Sequence, residues 1–221
     1  MKLLIAVLFL FLMVPQTAHA IEVVWGTKLY KATNEIVCTE PVKFGNVRDE
    51  AMIRINRFIN LYKKDFIESE LNTIYVCRDL IYHNEYWARG TYLRDKKAVF
   101  IEIEDGDHMD VEFVLHHEFS SLVYHKYFSR EHTAQWVKNT NYDYRWYTMT
   151  DDAETWGDHQ LMSNGAICKY ATTDLENDFN SIAGFYLTTY TKEQFISYLF
   201  YYPRLRNKTD ILVEIFKPFL R

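Results

Sequence analysis

Residues 110–128 have the sequence DVEFVLHHEFSSLVYHKYF and carry the most informative pattern in the chain. Their apolar side chains keep the spacing of one helix face, at Val111, Val114, Leu115, Leu122 and Val123. Asp110 stands first, where a negative charge suits the positive end of a helix dipole. The pattern predicts a long helix with the pair His117-Glu118 near its middle.

Short strands are expected before this helix and more helices after it. Strand character is found in residues 22–30, 35–42, 73–77, 91–93 and 98–103, the last two as a hairpin, and helical spacing in residues 46–64. Helices are also expected at residues 176–190, 191–202 and 208–219, with Pro203 ending the second of these. This order predicts an α+β fold, with an N-terminal mixed α/β half followed by a helical half.

Composition limits the classes of protein that this chain can belong to. It is 48% hydrophobic and 17% aromatic, enough for one packed core, and it holds only 7 Gly and 4 Pro. So few turn residues disfavour an all-β sandwich. The formal charge of −5 offers no basic stripe for nucleic acid.

The N-terminus has the pattern of an export signal. Lys2 precedes an apolar run over residues 3–14, and Ala18-His19-Ala20 fits the small-x-small cleavage pattern. The alternative is a membrane anchor, but an anchor needs about 20 apolar residues. We therefore expect a signal peptide over residues 1–20, one domain over residues 21–221, no membrane span, and a secreted or periplasmic location.

An exported chain meets oxidant, which permits one disulfide among its three cysteines. Cys38 and Cys77 are the predicted pair because both lie in the N-terminal half. Three buried thiols are the alternative. Cys168 stays free in either case.

The pair His117-Glu118 follows an apolar turn, as in the zinc peptidase helix H-E-x-x-H. In that motif two imidazoles four residues apart share a helix face and bind one Zn²⁺. The adjacent Glu takes a proton from the metal-bound water. Here Ser121 occupies the position of the second His.

With these residues, the chain resembles the bacterial secreted zincin-like metallopeptidases, whose helix reads H-E-F-x-H after an edge strand. The resemblance covers roughly residues 70–190 and includes a later acidic helix, here Glu176-Asn177-Asp178-Phe179-Asn180. It implies a zincin-type fold, a zinc cofactor and a peptide or protein substrate. It also implies Glu118 as general base, His117 as a metal ligand, and Glu176 or Asp178 as the acidic ligand.

The chain departs from this family pattern at two positions. Ser121 is a poor ligand beside an imidazole or a carboxylate. Aligning on Asp178-Phe179 puts Asn177 where the family has its ligand Glu, although a shift of one residue brings Glu176 there.

Other histidines of the same helix do not repair the site. His125 lies two turns beyond His117, about 12 Å away along the axis, and His116 is rotated by about 100°. A residue from a loop remains an alternative ligand: His132, Asp158 or His159. A zinc site is therefore expected to be weak or lost, which leaves His117 and Glu118 as a buried polar pair.

An aromatic segment with aspartates suggests a second function. It contains Tyr142, Tyr144, Trp146, Tyr147 and Trp156. Exposed aromatic rings form stacking platforms for a peptide or a carbohydrate, whereas buried rings fill a core. The alternative function is a non-catalytic secreted binding protein that uses the former active-site cleft, with Tyr144, Trp146 and Trp156 as binding residues.

Overall fold

The structure is a computed structural model that describes residues 20–26, 36–38, 46–82, 86–87, 89–103, 110–144 and 157–221. Residues 1–19 of the predicted signal peptide, which covers residues 1–20, lie outside this range, so its cleavage remains a prediction. Within the described residues, no helix is both long and apolar enough to cross a membrane.

Seven described strands form two sheets. They are β1 (Glu22–Trp25), β2 (Ile36–Cys38), β3 (Thr73–Cys77), β4 (Leu80–Tyr82), β5 (Tyr86–Trp87), β6 (Gly90–Leu93) and β7 (Ala98–Glu102). The larger sheet has the order β1-β3-β7-β6, in which β1, β3 and β7 are parallel and β6 is antiparallel to β7. The smaller sheet has the order β2-β4-β5. The β6–β7 pair is the predicted hairpin, and it leaves β6 at one edge of the larger sheet.

The described part of the chain has eight α-helices. They are α1 (Asn46–Leu61), α2 (Lys64–Glu70), α3 (Asp110–Tyr127), α4 (Arg130–Lys138), α5 (His159–Asn164), α6 (Leu175–Leu187), α7 (Lys192–Leu199) and α8 (Pro203–Phe216). All seven described strands precede α3, and the helices after it pack together, so the predicted α+β fold class is confirmed.

Helix α3 is central because it contacts β6, β7, α1 and α6. Helices α3 and α6 run antiparallel: Glu176 at the start of α6 meets His125, and Thr189 just beyond its end meets Glu112. They approach closely at Gly184, where an added Cβ would lie 2.7 Å from Cε2 of Phe113. The core continues on both sides of α3 through the fully buried Phe58 and Phe179.

The last helix begins earlier than predicted. Pro203 does not end a helix but starts α8, which extends to Phe216 instead of covering residues 208–219. Proline suits the first turn of a helix because its missing N–H would have no helical partner there. The short helices α2, α4 and α5 were also not predicted.

The cysteines join the two sheets. Cys38 of β2 and Cys77 of β3 form a disulfide with a Cα–Cα distance of 5.5 Å. Both side chains are buried in a small second cluster of apolar residues that includes Phe100. Cys168 is free and buried.

Candidate functional site

Helix α3 directs its two adjacent histidines to different surroundings. His116 is fully buried on the side of α1, where its Nδ1 lies 2.9 Å from the Tyr62 hydroxyl and its ring 5.1 Å from that of Phe58. Burial, with a smaller contribution from the charge of Lys192, lowers the pKa of His116 to about 3. His116 is therefore a neutral core residue.

His117 lies on the other side of α3, where only 8% of its surface is exposed. Its ring centroid is 5.7 Å from that of Tyr170 and 6.2 Å from that of Phe113. Burial lowers the pKa of His117 to about 4, so the ring is neutral at neutral pH. No other described residue hydrogen-bonds to the ring, which leaves its nitrogens available to a ligand.

Glu118 lies beneath the edge strand β6. A Cβ added to Gly90 would lie 2.8 Å from Cγ and 2.9 Å from Oε1 of Glu118, so glycine allows the strand to approach the carboxyl. Burial first, and the charge of Glu176 second, raise the pKa of Glu118 to about 8. A carboxyl that titrates near neutral pH suits a proton acceptor.

Ser121, which occupies the position of the second His in the family pattern, forms a hydrogen bond between α3 and α6. Nδ2 of Asn180 donates to Oγ of Ser121 over 2.8 Å, and both side chains are buried. Oδ1 of Asn180 has no hydrogen-bond partner among the described residues. The contact between α3 and α6 beside His117 is therefore formed by two neutral side chains.

Sequence reasoning missed Asn180. No local pattern shows it, because it depends on the antiparallel register of α3 against α6: His125 meets Glu176, and Ser121 meets Asn180. Knowing the first contact would have predicted the second. The family alignment on Asp178-Phe179 pointed instead to Asn177, whose Nδ2 donates to Thr173 at the start of α6.

Asp178, predicted as an acidic metal ligand, faces away from this site. It is fully buried between α4 and α8, and its Oδ2 accepts four hydrogen bonds: from Lys208 Nζ (2.6 Å), Trp136 Nε1 (2.8 Å), Tyr142 OH (2.6 Å) and Tyr144 OH (2.9 Å). Two helix positions from Asn180, it lies on the opposite side of α6. Asp178 is a structural centre and is not brought together with His117.

Glu176 remains close to the site but has its own partner. Its Oε2 lies 3.1 Å from Nε2 of His125, and both side chains are partly exposed. Its charge also contributes to raising the pKa of Glu118. The structure thus groups Glu176 with Glu118, and it places His125 beside Glu176 rather than beside His117.

The alternative loop ligands have other roles in the structure. His132 accepts a hydrogen bond from the backbone N–H of Ser129, and the Asp158 side chain caps α5. Nδ1 of His159 forms a hydrogen bond with the Tyr202 hydroxyl. None of the three contacts His117 in the described part of the chain.

The predicted aromatic binding segment is described only in part. The hydroxyl of Tyr144 donates to the buried Asp178, and the residue is only partly exposed. Its role as a binding residue stays a prediction. Trp146 and Trp156 lie outside the described residues, so their predicted role stays a prediction.

These residues do not fit a zinc ion. Over the described ranges, no group of three or more His, Cys, Asp or Glu side chains could hold a metal ion. Zinc sites in proteins use at least three protein ligands. His117 and one carboxylate fall short of that number.

Comparison with known proteins gives one informative likeness. No family model matches the chain, and no curated protein matches it in sequence. The fold is similar to the crystal structure of a putative zinc-binding metallo-peptidase from Bacteroides caccae, with a TM-score of 0.55 and 14% sequence identity over 91% of this chain and 80% of that one. At this identity the likeness concerns the fold: this chain has the architecture of that metallo-peptidase.

Proposed function

We propose that this chain is an exported zincin-type metallopeptidase whose metal motif has degenerated, with weak or no peptidase activity. The observation that carries the proposal is the hydrogen bond between Asn180 and Ser121, which occupies the metal side of the motif with two neutral groups. The fold of the structural neighbour supports the peptidase ancestry. Asp178 is bonded to Lys208 on the opposite side of α6, which supports the loss of metal binding.

Glu118 and His117 keep features that a peptidase mechanism would use. Glu118 keeps a raised pKa and the close approach of the edge strand at Gly90, as a general base beside a substrate would need. His117 keeps a neutral, unbonded ring. A metal would have supplied the activated water and the polarised carbonyl. Without it, Glu118 can hold or move a proton but lacks an activated nucleophile.

Export is part of the proposal and has its own support. The apolar run and Ala18-His19-Ala20 motif precede a chain whose Cys38 and Cys77 are bonded, as an oxidising compartment permits. N-terminal sequencing of exported protein is expected to begin at Ile21. An intact Met1 on exported protein would contradict it.

The test of metal loss is to rebuild the ligands. The wild-type protein is expected to carry well under one equivalent of zinc and to leave casein intact. Ser121→His together with Asn180→Glu places two imidazoles and a carboxylate at the contact between α3 and α6, so zinc content should rise towards one equivalent. Ser121→Ala with Asn180→Ala is the matched control, which removes the same hydrogen bond without adding ligands.

The two candidate third-ligand positions can be separated in the same experiment. Ser121→His with Asn177→Glu should bind zinc less well than the Asn180→Glu combination, because Asn177 faces the cap of α6. Any activity gained should disappear with Glu118→Gln, which keeps the size but cannot accept a proton. A wild-type protein with stoichiometric zinc that cleaves casein through Glu118 would refute the proposal.

A second candidate function is a binding protein that retains the cleft without catalysis. It is favoured by His117, a side chain more than nine-tenths buried whose ring has no hydrogen-bond partner among the described residues. A neutral imidazole without a protein partner can donate one hydrogen bond and accept another, so it can hold a polar group of a peptide. Binding of a peptide to wild-type protein that carries no zinc would separate this function from a residual peptidase.

A further inference from the structure

A second group of titratable side chains lies in the core, away from the degenerate motif. Lys208 of α8 and Asp178 of α6 are both fully buried, and Nζ of Lys208 lies 2.6 Å from Oδ2 of Asp178. Among the described residues, Lys208 is the only buried lysine. A buried ion pair is costly because the desolvation of its two charges can exceed their attraction. A reaction that removes both charges would relieve this cost.

The hydroxyl of Tyr142 connects the two charged groups. It accepts a hydrogen bond from Nζ of Lys208 over 2.9 Å and donates one to Oδ2 of Asp178 over 2.6 Å. A proton can therefore pass from the ammonium to the carboxylate through a single hydroxyl group. This transfer leaves a neutral amine and a neutral carboxylic acid in direct contact.

The surroundings favour a neutral amine at Lys208. Burial has the largest influence on the pKa of Lys208 and lowers it below the ordinary value of a lysine, although the charge and the hydrogen bond of Asp178 act in the opposite direction. A desolvated, uncharged lysine amine is a nucleophile. The carbonyl oxygen of Gly165 accepts a hydrogen bond from Nζ over 2.8 Å, which holds the amine in place.

The two oxygens of the Asp178 carboxyl group differ in their partners. Oδ2 also accepts hydrogen bonds from Nε1 of Trp136 over 2.8 Å and from the Tyr144 hydroxyl over 2.9 Å. Oδ1 is buried and has no partner among the described residues. Donors at one oxygen stabilise the negative charge that develops there when a nucleophile attacks the carbon. Oδ2 is therefore suited to leave, and Oδ1 to become the carbonyl oxygen of an amide.

We propose that Lys208 and Asp178 condense to an amide, an isopeptide bond that joins α8 to α6. Nζ of the neutral Lys208 attacks Cγ of the protonated Asp178, and the Nζ–Cγ bond forms. The Cγ–Oδ2 bond breaks, and Oδ2 leaves as water with its own proton and one proton of the amine, so no other reactant is required. Groups held in contact in this way react as if at an effective concentration of about 10⁵–10⁸ M. Because the core excludes water, the reverse hydrolysis is disfavoured.

A second contact between a lysine and a carboxylate provides an internal reference. Lys126 contacts Glu70, but the side chain of Lys126 is 49% exposed and that of Glu70 10%. Water stabilises the charged forms at such a position, so we expect no amide there. The bond at Lys208 goes beyond the proposed function and is independent of it, because Asp178 and Asn180 lie on opposite sides of α6.

The intact mass of reduced wild-type protein tests the bond. It should be about 18 Da below the mass calculated from the observed N-terminus, because one water molecule is lost. Trypsin should then give a branched product of residues 170–192 and 207–221 that is uncut after Lys208, whereas Lys126 and Glu70 should appear in linear peptides. A wild-type protein at its full sequence mass would overturn the proposal. A loss of water with normal cleavage after Lys208 would overturn it as well.

Two tyrosine variants test the proton transfer. Tyr142→Phe removes the hydroxyl between Lys208 and Asp178, so the fraction of protein that carries the bond at a fixed early time after synthesis should fall about tenfold or more. Tyr144→Phe is the matched control, because its hydroxyl donates to the same Oδ2, and the fraction should fall less. Equal conversion in Tyr142→Phe and wild type would overturn the proton transfer on which the proposed step depends.

Removal of the nucleophile completes the test. Lys208→Met should have its full sequence mass, and a loss of water that persists in this variant would place the modification elsewhere and overturn the proposal. The wild-type mass and peptide map require no variant, so they decide the proposal even if Lys208→Met fails to fold.

Discussion

The two carboxylates at the α3–α6 region, Asp178 and Glu118, have opposite surroundings. Asp178 is fully buried, and one of its oxygens accepts four hydrogen bonds, including one from the buried Lys208. Glu118 is partly exposed, accepts no hydrogen bond from another described residue, and lies close enough to Glu176 to feel its charge. Asp178, which the family pattern suggested as a metal ligand, is therefore a structural residue of the core.

The difference separates structural charge from functional charge. A buried ion pair is retained where removal of one partner leaves an uncompensated charge, so it fixes the arrangement of the helices around it. An unpaired carboxyl with a raised pKa lowers the stability of the folded state unless a ligand or a reaction uses it. The Asp178 centre thus holds α4, α6 and α8 together, and the Glu118 side remains available for chemistry or binding.

Removing Lys208 should have the largest effect. Lys208→Met leaves Asp178 buried with only neutral donors, and we expect the free energy of unfolding to fall by about 3–5 kcal/mol. Urea unfolding followed by circular dichroism measures this. Asp178→Asn combined with Lys208→Met should lose less than Lys208→Met alone, because no charge then stays buried.

An equal or greater loss of unfolding free energy in the Asp178→Asn, Lys208→Met double variant would contradict the contrast between Asp178 and Glu118. It would mean that packing of the Lys208 chain, rather than the charge of Asp178, carries the stability of this centre.

Stability should be next most sensitive to changes at the contact between Gly90 of β6 and helix α3. Gly90→Ala puts a Cβ 2.5 Å from Cγ1 of Val114 and 2.8 Å from Cγ of Glu118, so overpacking should lower the free energy of unfolding by about 1–3 kcal/mol. Val114→Ala added to it should recover part of the loss because it removes the nearer atom. Additive losses in a thermal unfolding experiment would contradict this close contact.

Substitution of Glu118 should have the smallest effect, and it should stabilise the folded protein. The pKa of Glu118 is raised to about 8 in the folded protein, so the folded state holds this proton more tightly than the unfolded state. Its contribution to stability is therefore lost as pH rises from the ordinary range of a glutamate through about 8. Glu118→Gln should raise the free energy of unfolding by about 1–2 kcal/mol at pH 9 and change it little at pH 4.

The control is Glu193→Gln, at an exposed position of α7, which should show no such pH dependence. A Glu118→Gln variant that is less stable than wild type at pH 9 would show that the carboxylate has a partner in solution.

Much of the fold followed from local patterns. The spacing of Val111, Val114 and Leu115 predicted α3, and the β-branched run Thr73–Cys77 predicted β3 with the bounds that the structure has. The predicted start of α8 is wrong because proline, which disrupts a helix interior, is suited to the first turn of a helix, and Pro203 begins this one. Short helices such as α4 were missed because their stability comes from packing, here of the buried Trp136, rather than from their own periodicity.

The sequence by itself determined the α+β class and the placement of His117, Glu118 and Ser121 on one helix, because these depend on residue type and on spacing along the chain. Only the tertiary structure decided that Asn180 faces Ser121 and that Asp178 turns away to Lys208. Residues two apart on a helix point about 200° apart. The register of α6 against α3 therefore determines whether Asp178 or Asn180 faces Ser121. That register is set by contacts between distant segments, including the close approach of Gly184 to Phe113, which no local pattern contains.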